Sequence, residues 1–237
     1  YRAWRASADE GWTRWILEQF EFPYVNVENA EMRAGSLRNK YDVLVLPAMS
    51  AEAIVNGYAP GTMPPQYVGG IGDTGVLNIE TFVREGGTLV ALNSGCQFAI
   101  DKLGLPASDA LRSVRSAPAG GVPEFICPGS VLRLSFNPRH PVAYGMPEQG
   151  AGMFTNSPAF QIYPESGAGK IGEIIASYPD DTLLISGYLK GEKFLRKKAA
   201  AASFLLDKGK VVLLGFGVQN RAQPYGTFKL LFNALFY

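Results

Sequence analysis

The sequence is poor in the residues that most hydrolytic and metal sites use. Its 237 residues include one histidine, His140, and two cysteines, Cys96 and Cys127. A hydrolytic zinc site takes about three protein ligands, usually with several histidines, so we expect no metal and no other cofactor. A serine or cysteine nucleophile would have only His140 as its imidazole base. The two cysteines could form one disulfide in an exported protein, but the sequence does not give their separation and leaves their pairing open.

Charge is also scarce, and this excludes some partners. Charged residues make up 18% of the chain and the formal net charge is +1, with no basic stripe. We therefore expect no nucleic-acid partner. No apolar run approaches the roughly 20 residues of a membrane-spanning helix, so we expect no membrane span. With 47% hydrophobic residues, the chain fits one globular domain over residues 1–237. Residues 1–4 resemble the end of a strand, so we expect the chain to be the C-terminal part of a longer protein.

The order of the predicted elements indicates an α/β fold. Helices are expected from Asp9, as an N-cap, and at residues 29–39 and 75–85, alternating with strands at 24–27, 42–47 and 88–92. This alternation is typical of a doubly wound parallel sheet between helical layers. We therefore predict a three-layer, mostly parallel sheet with antiparallel additions in the C-terminal half. Those additions are strands at 131–136, 160–163, 171–178 and 183–187 and a hairpin over 199–216, with loops at 51–72 and 116–121 and a last helix at 225–236.

The centre of the sequence has the pattern of a nucleophile elbow. Residues 88–92 form a short apolar run, Asn93, Ser94 and Gly95 form a tight turn, and a helix begins at Cys96. A strand, a sharp turn and a helix would lift the residue after the strand above the sheet. That residue is Asn93, which has no oxygen or sulfur that a base could activate. The sequence therefore predicts the scaffold of a catalytic elbow without its catalytic atom.

This elbow and two further stretches carry a family resemblance. Together with residues 140–146 and 209–235, the elbow resembles class I glutamine amidotransferase-like domains. More narrowly, residues 9–15, 86–92 and 221–235 look like the C-terminal domain that follows the catalytic domain of bacterial zinc carboxypeptidases. The resemblance implies a flavodoxin-like fold and a secreted or periplasmic parent that cleaves peptides. It also implies the peptidase domain of the same chain as a partner.

The chain departs from both families at the residues that carry their chemistry. The peptidases need a His-x-x-Glu pair and a distant histidine, whereas His140 is followed by Pro141, Val142 and Ala143. An active glutaminase has cysteine where Asn93 stands, and residues 217–221 contain no histidine. The resemblance therefore implies neither zinc chemistry nor glutaminase activity in this domain.

The main hypothesis is a non-catalytic accessory or ligand-binding domain of a secreted zinc metallocarboxypeptidase, a pseudoenzyme with a degenerate elbow. A peptide or carbohydrate would bind at the carboxyl edge of the sheet, and self-association is left open. The candidate ligand-binding residues are Asp9, Glu10, Asn93, Ser94, Gln219 and Arg221.

Two alternatives remain open at this point. In the first, the candidate residues have structural roles and bind no ligand. Asp9 and Glu10 can cap a helix, and Arg221 can bond carbonyl groups and Asp9 instead of an anionic ligand. The other alternative is a cysteine-dependent hydrolase or amidotransferase-like enzyme. In that case Cys96, in the first turn of a helix, would be the nucleophile and His140 its base.

Overall fold

A computed structural model describes residues 1–117, 121–163 and 172–237. The predicted loop at 116–121 and the predicted start of a strand at residue 171 lie partly outside these residues. The helices are α1 (Ala8–Gln19), α2 (Asn29–Ala34), α3 (Ala51–Asn56), α4 (Gly72–Arg84), α5 (Cys96–Leu103) and α6 (Tyr225–Leu235). The strands are β1 (Val43–Leu46), β2 (Thr88–Leu92), β3 (Ala107–Asp109), β4 (Ser130–Phe136), β5 (Gln149–Phe154), β6 (Phe160–Ile162), β7 (Gly172–Ser177), β8 (Leu184–Ser186), β9 (Ala199–Leu206) and β10 (Gly209–Leu214).

The strands form one mixed sheet with the order β1-β2-β10-β9-β7-β4-β5. β2 pairs in parallel with β1 on one side and with β10 on the other, and all five of its residues are buried. A strand covered on both faces needs a continuous apolar sequence, as Thr88–Leu92 provides. From β10 onward the pairs along this path are antiparallel, beginning with the β9–β10 hairpin. The predicted α/β class is confirmed. Antiparallel pairs outnumber parallel pairs along this strand order.

The sheet separates two hydrophobic cores. Alternation along β2 sends Leu89 and Ala91 to one face and Val90 and Leu92 to the other. Helices α2 to α5 cover the first face, and α6 covers the second. Helix α1 packs against α6 through a third, smaller cluster. The predicted three-layer arrangement is therefore present, with the elbow at the carboxyl end of β2.

Some predicted elements differ from the structure for local reasons. Ser7, not Asp9, caps α1: the Ser7 hydroxyl accepts a hydrogen bond from the Glu10 N–H at 3.4 Å. Residues 24–27 are not a strand; their one backbone bond to a distant described residue runs from the Arg2 N–H to the Val27 carbonyl. The predicted loop at 51–72 begins with helix α3, which is capped by Ser50.

Two strands of the sheet were not predicted. β3 has only three residues, too few for a pattern. β5 contains Gly150 and Gly152, which disfavour a strand by propensity. It pairs with β4 along its whole length nonetheless. A Cβ atom at Gly152 would lie 2.4 Å from Leu134 Cδ1 and 2.9 Å from Phe216 Cδ2, so a larger residue would require these side chains to move.

Candidate functional site

The predicted elbow is present between β2 and α5. Asn93–Gly95 forms one 3₁₀ turn, and Asn93 has a φ of 45°, in the left-handed region. Asparagine is one of the few side chains that adopt this conformation readily, so it suits the tip of a tight turn. Gly95 packs so closely below the end of β1 that a Cβ atom would lie 2.5 Å from the Pro47 carbonyl oxygen. The turn therefore requires a glycine two residues after its tip, as the elbow pattern does.

An amide occupies the tip of the elbow. Asn93 is half-buried, and its Nδ2 donates long hydrogen bonds to the Thr155 carbonyl (3.4 Å) and hydroxyl (3.3 Å). Its Oδ1 is buried and has no hydrogen-bond partner among the described residues. Ser94 beside it is exposed. The tip thus offers hydrogen-bonding groups and no nucleophile, because an amide cannot be activated by a base.

A polar cluster that the sequence reasoning missed holds the loop next to Asn93. Ser157 is fully buried, and its hydroxyl accepts from the Thr155 N–H at 3.0 Å. Arg115 donates to the Ser157 carbonyl and forms an ion pair with Asp109 at 3.3 Å. Asp109 Oδ1 also accepts from the Ala159 N–H at 3.1 Å. No sequence motif indicates this cluster, since its residues come from two distant segments, 109–115 and 155–159.

Burial disfavours the charged form of Arg115 in this cluster. The pKa of Arg115 is lowered because desolvation outweighs the nearby Asp109 carboxylate. The Tyr178 hydroxyl is fully buried and has no hydrogen-bond partner in the described part of the chain. The Tyr178 hydroxyl oxygen and Asn93 Oδ1 are the two buried side-chain atoms without a hydrogen-bond partner in the described part of the chain. Because burying an unpaired polar group is costly, the surroundings of the elbow are less well satisfied than the rest of the described interior.

Asp9 and Gln219 meet at the carboxyl edge of the sheet and bind each other. Gln219 Nε2 donates to Asp9 Oδ1 and to Thr13 Oγ1, both at 3.0 Å. Asp9 Oδ2 accepts from the Ala48 N–H at 2.9 Å. Burial raises the pKa of Asp9, and the hydrogen bonds from Ala48 and Gln219 oppose this only in part. These two candidate ligand residues therefore join α1 to the loops after β1 and β10.

The other candidate residues lie apart from this contact. Glu10 pairs with Arg14 at 2.6 Å along α1. Arg221 is exposed, with a φ of 51°, and makes no hydrogen bond or ion pair with any described residue. The expectation that Arg221 bonds Asp9 is wrong, because Gln219 makes that contact. The carboxyl edge therefore brings together Asp9 and Gln219, but it does not join all six candidates into one cluster.

Both cysteines are buried free thiols, so they form no disulfide. Cys96 Sγ donates to the Ala91 carbonyl at 3.2 Å inside the first core. Burial raises the pKa of the Cys96 thiol well above its usual range and also raises that of Cys127. A nucleophilic cysteine needs the opposite, an exposed site that favours the thiolate.

His140 lies on the other face of the sheet from Cys96. It is buried beside Val142 in the second core, and its Nδ1 accepts from the Val142 N–H at 3.1 Å. The proton of the neutral ring is therefore on Nε2, which lies 2.8 Å from Ser203 Oγ and 3.6 Å from Glu173 Oε2. Burial lowers the pKa of His140. The predicted pairing of Cys96 with His140 is wrong because the sheet stands between them.

Neither a metal-ligand cluster nor a membrane-spanning helix is found among the described residues. Over residues 1–117, 121–163 and 172–237, no cluster of three or more histidine, cysteine, aspartate or glutamate side chains could hold a metal ion. None of the helices in these ranges is long and apolar enough to cross a bilayer.

Comparisons with known proteins define the class of fold. No protein-family model matches the sequence, and no curated protein does. Among solved structures, Cytoplasmic Protein STM1381 of Salmonella typhimurium LT2 is similar with a TM-score of 0.56 at 12% identity, over 97% of this chain and 87% of that one. A Thermoplasma acidophilum protein, provisionally described as one of the subunits of GMP synthase, gives 0.55 at 10% identity, over 98% and 88%.

A longer enzyme contains a similar fold. The GH42 β-galactosidase Gan42B of G. stearothermophilus gives a TM-score of 0.50 at 12% identity, over 96% of this chain and 26% of that one. Identities this low show the fold alone. The chain therefore has a class I glutamine amidotransferase-like fold.

Proposed function

We propose that this chain is a non-catalytic ligand-binding domain that serves as an accessory to a secreted or periplasmic zinc metallocarboxypeptidase. The observation that carries the proposal is Asn93: the elbow keeps its left-handed tip and its close glycine, yet the tip bears an amide. The candidate nucleophile Cys96 is inaccessible, and His140 is held on the far side of the sheet.

The binding step would use the hydrogen-bonding groups at the tip. Asn93 Oδ1 has no hydrogen-bond donor among the described residues, and the exposed Ser94 hydroxyl follows directly. A peptide N–H or a sugar hydroxyl would supply the missing donor, which is why these two ligand classes fit. Because Asn93 Oδ1 is buried, binding requires the amide to turn, which breaks the two long bonds from Nδ2 to Thr155.

The link to a peptidase rests on the sequence motifs. Residues 9–15 lie in α1, and residues 221–235 cover α6 and the turn before it. Ile16, which follows the first motif in α1, packs against Ala222 and Phe228 of the second. The two motifs therefore form one structural unit, and their resemblance to the carboxypeptidase domain is one resemblance rather than two. A fold of this kind also forms about a quarter of the β-galactosidase chain, which supports an accessory place in a longer enzyme.

A pair of cysteine variants tests whether the elbow is a catalytic scaffold without its nucleophile. Asn93→Cys places a thiol at the left-handed tip, close to the N-terminus of α5, where the thiolate is favoured. We expect iodoacetamide to label it at neutral pH about tenfold faster than the control Ser94→Cys, which is exposed but one residue past the tip. Cys96 and Cys127 should stay unlabelled in the folded protein. Equal labelling of the two variants would contradict the elbow interpretation.

Turnover and binding assays test the function itself. The unmodified chain should not hydrolyse glutamine, esters or peptides. Turnover that is lost on Asn93→Ala or Cys96→Ala would refute the non-catalytic proposal. In a thermal-shift panel of short peptides and sugars, at least one compound should raise the Tm, and Asn93→Ala should remove that shift. No shift across the panel would refute binding at the elbow.

A further inference from the structure

A small cavity lies between the segment 2–7 and helix α1, beside the loop that follows β1. Its volume is about 270 Å³, below the roughly 300 Å³ at which pockets for drug-sized ligands begin, so it suits a small molecule. The chain bends at residues 4 and 5, and the segment curves around one side of the cavity. The first two turns of α1 and Met49 complete the lining. We call this space the arginine cavity.

The charges around this cavity are unbalanced. Three arginines, Arg2, Arg5 and Arg14, line it, and Glu10 is the one carboxylate that the described residues contribute. The whole chain has a formal net charge of +1, yet this small space has two more arginines than carboxylates. Like charges that share a site repel one another, and a bound anion offsets that repulsion. The cavity is therefore suited to an anion.

Two of the three arginines are free to bind such an anion. Arg14 donates two hydrogen bonds to Glu10, at 2.6 Å from Nε and 3.4 Å from Nη2. The Ser7 hydroxyl is also engaged, because it caps α1 and donates to a carbonyl of the loop after β1 at 3.1 Å. Arg2 and Arg5 are exposed, and neither guanidinium makes a hydrogen bond or an ion pair with a described residue. The side-chain donors left for a ligand are therefore those of Arg2 and Arg5.

We propose that the arginine cavity binds the phosphate group of a small soluble molecule through Arg2 and Arg5. Guanidinium groups form strong, two-point hydrogen bonds with phosphate oxygens. A phosphate monoester carries a charge of about −1.5 to −2 at pH 7, which matches the two unpaired arginines. Its three oxygens point in different directions, so two guanidinium groups can bind it at once, whereas a carboxylate presents two oxygens in one plane.

The apolar part of the cavity fits the remainder of such a molecule. Trp4 and the buried Met49 line the cavity beside the arginines. Trp4 is held by an edge contact with Tyr67, with 4.9 Å between the ring centroids. Aromatic and apolar walls with a few charged groups are the usual composition of a small-molecule site. The lining does not include Asn93, so this proposal goes beyond binding at the elbow and does not rest on it.

Isothermal titration with inorganic phosphate and with glycerol 1-phosphate, at constant ionic strength, tests the proposal. We expect saturable binding by the 237-residue chain. Arg2→Gln and Arg5→Gln should each weaken it about tenfold, since each removes a charge-assisted contact. Both side chains are exposed, so these variants should fold. Arg139→Gln, at an exposed arginine outside the cavity, is the control and should bind like the unmodified chain.

A further variant should change binding in the opposite direction. Glu10→Gln removes the negative charge from the cavity and releases Arg14 as a third donor. We expect it to tighten phosphate binding about threefold or more. A loss of packing around the cavity would weaken binding instead, so this variant separates an electrostatic role of the arginines from a structural one.

The remaining outcomes overturn the proposal. No saturable binding, or equal binding by all variants, would mean that the cavity takes no phosphate group. Succinate bound as tightly as glycerol 1-phosphate would make it a carboxylate site. Binding to phosphatidylglycerol vesicles but not to the soluble phosphates would assign the arginines to a membrane surface. Asn93→Ala should leave phosphate binding unchanged, so a failure here is distinct from a failure of binding at the elbow.

Discussion

Replacing Gln219 by leucine should loosen the attachment of α1 to the carboxyl edge of the sheet. Gln219 is almost fully buried, and its amide nitrogen joins Asp9 and Thr13 at 3.0 Å each. Leucine keeps most of the side-chain volume, so the variant removes the two hydrogen bonds with little change in packing. The experiment therefore isolates the polar contact between α1 and the loop after β10.

The bond to the Asp9 carboxylate sets the magnitude. A hydrogen bond to a charged group contributes about 1.5–3 kcal/mol. A loss of about 2 kcal/mol lowers the Tm of a chain of this length by about 4–8 °C. Chemical denaturation of the variant and of Gln223→Leu, an exposed glutamine in the same loop, measures the difference. We expect the control to change stability by less than about 0.5 kcal/mol.

The pH dependence makes this prediction specific. Burial raises the pKa of Asp9 above its unfolded value, so the protein loses stability as the pH rises through the folded pKa. The hydrogen bond from Gln219 lowers that pKa, and Gln219→Leu should raise it further. The cost of the variant is therefore larger above the Asp9 pKa, where the carboxylate is charged, than in acid. A cost that is equal at all pH values, with an unchanged Asp9 pKa by NMR, would refute this account.

Two further substitutions test the packing of the elbow and its surroundings. Gly95→Ala would place a methyl group 2.5 Å from the Pro47 carbonyl oxygen. Overpacking of this kind costs about 1–3 kcal/mol of unfolding free energy. An unchanged free energy of unfolding by chemical denaturation would show that the elbow does not need this glycine. Tyr178→Phe removes a buried hydroxyl that has no hydrogen-bond partner among the described residues, so the Tm should stay the same or rise. A fall in Tm of more than about 4 °C would mean that the hydroxyl makes a hydrogen bond in solution.

The elbow could be predicted from the sequence because its signals are local. Two glycines, a short apolar run and a three-residue turn follow one another between residues 86 and 95, and each signal has a single conformational interpretation. The β9–β10 hairpin and helix α4 were predictable for the same reason. Short-range patterns determine these elements, and tertiary contacts agree with them.

The contacts around the elbow could not be predicted because they join distant segments. Nothing near Asp9 in the sequence indicates that its carboxylate accepts from Ala48 and Gln219 instead of capping α1. Similarly, Arg115 and Ser157 have the sequence context of loop residues, and only the folded sheet brings them together. Residues 24–27 show the opposite case, in which a strand-like sequence stays irregular because strand structure needs a paired neighbour.

A nucleophile at the tip of the elbow would not by itself make the chain catalytic. In Asn93→Cys the thiol would stand at the tip of the elbow, but acyl transfer also needs a base within hydrogen-bond reach. The loop after β10 presents Gln219, and that amide is already bound to Asp9 and Thr13. A histidine at this position would have to break both bonds. Catalysis would therefore require a base as well as a nucleophile, and a histidine in place of Gln219 would destabilise the contact that holds α1 to the sheet.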